Sequence, residues 1–198
     1  MNKTRLAKTI LVTTVAVSSI LLLSAAIMSF AQSKPEVIDC TAQGTSTQMG
    51  QVFTLRIMID EYSTEEERNT LIQAFEKGKN QGLYNALRKL PARGRIQTPG
   101  TVGYELKFIR LIPNSPPGTR RIHIMADRPI TIGESFAQSR SLDYSLSAVE
   151  LDLNEVSQKS TGILLPLCEF KINKKTKEFE IEVRRNPFKL LNFFNQGK

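Results

Sequence analysis

The sequence predicts an α+β fold: a mainly antiparallel sheet of about six strands with two short helices packed on one face. Three observations predict it. The run from Val52 to Ile59 alternates, with Phe53, Leu55, Ile57 and Ile59 on one side. The stretch from Ser63 to Leu90 then changes to helical spacing. Beyond it, alternating runs separated by turn residues continue to the C-terminus.

Residues 1–31 come before this domain and carry a different signal. Lys3, Arg5 and Lys8 form a positive end, an apolar run extends from Thr9 to Phe30, and Ser29-Phe30-Ala31 closes it with small residues. This is the order of a secretory signal peptide, cleaved between Ala31 and Gln32. The alternative is an uncleaved inner-membrane anchor, since the run is near the ~20 residues that span a bilayer. Either way the remaining chain is expected outside the cytoplasm, periplasmic or secreted, and the segment makes transient membrane contact during export. Residues 32–50 read as an irregular N-terminal segment in which Val37 and Ile38 form a short edge strand, and 51–198 as a single α+β domain.

Ser63-Thr64-Glu65-Glu66 fits a capping box with Ser63 as N-cap. Leu71, Ile72 and Phe75 then fall at helical spacing, and Gly78 is placed to end the first helix. A second helix is expected from about Asn80 to Leu90, with Leu83, Leu87 and Leu90 on one side. Pro91, Gly94, Pro99 and Gly100 prevent regular structure over much of 91–102. Tyr104, Leu106 and Phe108 alternate into a strand ending near Ile112, and a second strand from Arg121 to Ala126 completes a hairpin around Pro113–Gly118. Residues 130–142 read as a packed loop or a short helix. From Tyr144 to Leu153 the alternation loses parity, and a bulge near Ser147-Ala148 restores it. Ile163–Ile172 pairs with Glu178–Val183 across the polar turn Asn173–Thr176. The tail contains Phe188, Leu190, Leu191, Phe193 and Phe194, too apolar for a free end, and is expected to dock on the body.

The chain carries 27 Lys and Arg against 19 Asp and Glu, a formal charge of +8. Three of those cations lie before Gln32, so the exported form retains 24 against 19, or +5. Such an excess suits an anionic envelope surface as partner. Basic clusters such as Arg120-Arg121 and Arg184-Arg185 lack interleaved aromatics, which argues against nucleic acid. Cys40 and Cys168 are the two cysteines, and in an oxidising compartment they could form one disulfide.

No catalytic, cofactor or metal set stands out. His123 is the single histidine, with no nucleophile motif around it. One histidine, two distant cysteines and no spaced carboxylates make no metal ligand set. The acids Asp60, Glu61, Asp127 and Asp143 lie at expected strand ends, where a pair could act in hydrolysis.

Phe53-Thr54-Leu55-Arg56-Ile57, Thr64-Glu65-Glu66-Glu67-Arg68, Gly94-Arg95-Ile96 with Gly103-Tyr104, Arg120-Arg121-Ile122 and Asp127-Arg128-Pro129-Ile130 make residues 52–153 distinctive. This stretch resembles a group of secreted bacterial proteins of unknown function. The resemblance implies export and a shared fold, and brings no functional residues. The expectation is therefore an exported envelope domain with a non-enzymatic binding or structural role and no cofactor. A glycan or lipid hydrolase using the strand-end carboxylates, and a carrier of an apolar ligand, are the alternatives.

Overall fold

Among the described residues, ten strands, one α-helix and a single 3-10 turn (Ser46–Gln48) form the regular structure: β1 (Glu36–Gly44), β2 (Val52–Ile59), α1 (Glu65–Leu87), β3 (Gly94–Gln97), β4 (Tyr104–Leu106), β5 (Phe108–Ile112), β6 (Thr119–Ala126), β7 (Leu146–Asn154), β8 (Thr161–Ile172), β9 (Phe179–Glu182) and β10 (Phe188–Asn195). The computed structural model describes residues 35–113, 115–132, 146–154, 159–182 and 187–195. The expected cleavage between Ala31 and Gln32, and Asp143, lie outside these residues. Among the described residues no helix is long and apolar enough to cross a membrane.

The strands run β4-β3-β2-β1-β10-β8-β7-β6-β5, each antiparallel to its neighbour, and β9 pairs with β8 outside that path. The ends of the order are consecutive pieces of one run broken at Lys107. β4 pairs with β3, β5 pairs with β6, and the Lys107 amide donates to the Met125 carbonyl at 3.0 Å. The sheet therefore curls into a nearly closed barrel. This corrects the expected sheet of about six strands. An open sheet would leave two unpaired edges, and the change of partner at Lys107 removes most of that exposure.

Alternation divides the wall into two apolar layers. Ile38, Cys40, Leu55, Ile57, Ile96, Leu106, Ile122, Ile124, Val149, Leu151, Leu164, Phe188 and Leu190 fill the barrel. Phe108, Met125, Leu146, Ala148, Leu165, Cys168 and Phe170 point outward and are covered by Leu71, Phe75, Leu83 and Leu87 of α1. At roughly 1.5–3 kcal/mol for each fully buried side chain, the helix is held by this layer more than by its own propensity.

The two expected helices form one element that kinks at Lys79, whose φ of 51° and ψ of −142° are not helical. The kink lets the Asn80 amide act as a strand residue. Its Oδ1 accepts from the Phe170 amide at 2.8 Å, and its Nδ2 donates to the Phe170 carbonyl at 3.3 Å. The N-cap is Thr64 with Glu67, one residue later than the spacing predicts. Ser63 instead pairs with the outer edge of β5, donating to the Ile109 carbonyl at 2.7 Å and accepting from its amide at 3.0 Å.

Other expectations change for topological reasons. β1 is a nine-residue stave between β2 and β10, not a short edge strand. β3 forms within the proline- and glycine-rich stretch because Gly94 fits against the Met58 carbonyl, where a Cβ would lie 2.2 Å away. Phe108 faces α1 and not the interior shared by Leu106, since the break at Lys107 flips the parity. The bulge near Ser147 is present, with the β7–β8 register shifting between Leu146 and Ala148. The apolar tail becomes β10, a central stave. The expected β8–β9 hairpin is formed, with Phe170 opposite Ile181 and Glu180 opposite Lys171.

Cys40 and Cys168 are free and buried in different layers, one inside the barrel and one beneath α1. The expected bridge is not formed. Burial also pushes the Cys40 thiol up to about 12 and raises that of Cys168, so neither forms a thiolate near neutrality.

Candidate functional site

One cavity lies at the barrel mouth, where β3 ends, β4 begins and residues 130–132 cross between them. Its floor is Leu55, Ile96, Ile130 and Ile132, and its rim is Gln97, Thr98, Thr101, Gly103, Tyr104 and Thr131. Among the described residues no charged side chain lines it. Its volume is about 340 Å³, near the lower end of the ~300–1,000 Å³ typical of small-molecule sites.

The local sequence explains its shape. Gly103 has φ +76°, and a Cβ there would meet the Ile96 carbonyl at 2.3 Å, so the β3–β4 turn closes tightly only with glycine. Thr101 Oγ1 donates to the Thr98 carbonyl at 2.9 Å within that turn. On the other wall, Tyr104 Oη donates to the Thr131 carbonyl at 2.9 Å. Ile130 is fixed from behind, its amide donating to the buried Ser147 Oγ at 2.9 Å. The rim therefore presents hydroxyls and the Gln97 amide over an aliphatic floor.

No family model matches this chain, and no curated protein or solved structure is similar to it at a significant level. The cavities must be read from their own chemistry.

A second cleft, of about 630 Å³, lies on the outer wall of β5, β6 and β7 beneath the β8–β9 hairpin. Cross-strand register aligns Arg110, His123 and Glu150 in one row, with Arg121 opposite Asp152 in the next. His123 Nε2 lies 3.2 Å from Glu150 Oε1. Arg110 donates to both Glu178 carboxylate oxygens at 3.1 Å and to Glu65 at 2.6 Å, while Arg68 lies 3.3 Å from Glu178. These contacts tie β5, α1 and the hairpin together. A cleft whose charges are mostly paired side chain to side chain holds elements in place, and among the described residues no nucleophile is hydrogen-bonded to His123.

Burial is the main cause that lowers the His123 pKa. Arg121 also lowers it, while Glu150, Glu178 and Asp152 pull it upward. A histidine held below its unfolded value of 6.5 gives stability that is complete above that pH and is lost as pH falls beneath it. Glu65, Glu67, Glu105 and Glu180 are also held below 4.5, so their contributions vanish only in stronger acid. Denaturant midpoints should therefore fall in two stages, and His123→Gln should remove the stage just below 6.5. A single stage in the wild type would contradict this placement of His123.

Of the carboxylates expected at strand ends, the three described ones, Asp60, Glu61 and Asp127, line neither cavity. Asp60 is exposed, Glu61 is paired with Arg93, and Asp127 is buried beside Arg128. Among the described residues no group of three or more His, Cys, Asp or Glu could hold a metal ion. Sequence reasoning missed Gln97, Thr98, Tyr104 and Thr131. The signal available was the run from Ile96 to Tyr104, nine residues without a charge between Arg95 and Glu105.

Proposed function

We propose that this chain is an exported, non-enzymatic domain that binds a small neutral ligand with an apolar body at the barrel mouth. The observation that carries this reading is the lining of the mouth cavity, which among the described residues is aliphatic at its floor and polar but uncharged at its rim. A charged ligand group would lose its hydration there without gaining a counter-charge. An alkyl or ring body gains the floor contacts, and a hydroxyl or carbonyl reaches Gln97, Thr98 or Thr131. The filled interior below Leu55 and Ile96 limits the ligand to the mouth. Export is supported by the order of positive end, apolar run and small residues in 1–31.

Titration of the intact chain with the neutral dye N-phenyl-1-naphthylamine tests the reading. Saturable fluorescence enhancement is expected, and Gln97→Trp, which narrows the entrance from the rim, should weaken it about tenfold or more while the melting temperature is kept. Equal binding by the variant, or no saturation by either protein, would overturn it.

A further inference from the structure

We infer that the two hairpin tips beside the mouth dock on a phospholipid bilayer, from which the ligand enters the cavity. This inference rests on the proposed binding reading and adds the source of the ligand.

The tips are neighbours. One joins β1 to β2 and the other joins β3 to β4, and β2 pairs with β3 so that Arg56 lies opposite Gln97. The second tip is also part of the cavity wall, through Thr98, Thr101 and Gly103. From Gly44 to Leu55 and from Ile96 to Tyr104 there is no charged residue, in a chain that is 23% charged.

The first tip inverts the usual rule of burial. Polar Gln48 is 7% exposed, while apolar Met49 beside it is 80% exposed. Tight packing enforces this arrangement. The Ser46–Gln48 turn folds back on Gly44, where a Cβ would meet the Gln48 carbonyl oxygen at 2.1 Å. Thr45 Oγ1 anchors the tip to the Pro187 carbonyl at the start of β10. On the second tip Val102 is 78% exposed, and Val52 at the foot of the first is also exposed. Water does not favour this display of apolar side chains on rigid, uncharged loops, whereas the acyl boundary of a bilayer does.

Behind the second tip, Arg95 Nη1 donates to the Val102 carbonyl at 3.1 Å. That holds a guanidinium against the backbone of the tip valine, where it can meet a lipid phosphate. A neutral ligand with an apolar body is poorly soluble in water, so a mouth resting on lipid receives it directly. The chain enters β1 at Glu36, at the opposite end of the barrel from both tips.

The chain contains no tryptophan, so a single one introduced at a chosen site reports that site alone. Met49→Trp, Val102→Trp and Phe194→Trp in the intact chain should be mixed with phosphatidylcholine vesicles, plain or with brominated acyl chains. Phe194 is exposed near the end where β1 begins and serves as the reference. The two tip tryptophans should shift to the blue and be quenched at least twofold by brominated lipid, while Trp at 194 stays unquenched. Added phosphatidylglycerol should strengthen the effect only modestly, because the tips themselves carry no charge. Equal quenching at all three sites, or none at the tips, would overturn docking. So would a blue shift that rises with protein concentration without vesicles, since that identifies a second copy as the occupant. Dye binding is measured without lipid, so failure of the cavity and failure of docking are read separately.

Discussion

Phe188→Ala is expected to cost about 3–5 kcal/mol, the range for truncating a fully buried aromatic side chain. Phe188 is 0% exposed and opens β10, where it lies opposite Gly44 of β1 and Leu164 of β8. Its ring meets that of Phe53 edge to face, with centroids 6.1 Å apart. The alanine would leave a void bounded by strands that pair with one another and cannot easily collapse. Against a total stability of about 5–15 kcal/mol, such a loss removes a large part of the margin. Phe194→Ala, six residues along the same strand but 60% exposed, should change stability by no more than about 0.5 kcal/mol. Urea midpoints of the two variants make the comparison. A loss below about 1 kcal/mol for Phe188→Ala would show that the apolar tail does not line the barrel.

Arg110→Met should be the next most damaging change. The Arg110 and Glu178 side chains are only 12% and 15% exposed, and the substitution leaves Glu178 with Arg68 as its remaining cation. Breaking a buried pair from one side costs about 3–5 kcal/mol. The second cation and the residual exposure reduce the expected cost here to about 2–4 kcal/mol. The reason for the loss is the stranded carboxylate, so Arg110→Met with Glu178→Gln should recover about half of it or more. Additive losses in the double variant would mean that Arg110 acts through packing of its stem and not through its charge.

Much of the local structure was legible in the sequence. The alternation in β2, β6 and the β8–β9 hairpin, the helical spacing from Leu71 to Leu87, and the bulge at Ser147 are consequences of side-chain periodicity within a few residues. Errors came where a residue served a distant partner. Ser63 has the chemistry of an N-cap, yet the unpaired edge of β5 takes its amide and hydroxyl, so capping moves to Thr64. Gly94 looks like a turn residue, yet close approach to the Met58 carbonyl makes it a strand residue. Of the candidate site, only the uncharged run from Ile96 to Tyr104 was readable. Leu55, Ile130 and Thr131 come from separate parts of the chain and meet only when the barrel is formed.

By itself the sequence determined an antiparallel, sheet-rich chain with amphipathic helical cover, because periodicity is a local property. Only the tertiary structure decided that the sheet curls into a nearly closed barrel. Closure depends on Lys107, where one run changes its partner from β3 to β6, and no periodicity within that run announces the change. The same closure separated Cys40 from Cys168, drew the apolar tail into the wall, and set a cavity with an aliphatic floor beside two exposed apolar hairpin tips. Pairing between strands far apart in sequence places these groups, so their chemistry becomes a site only after folding.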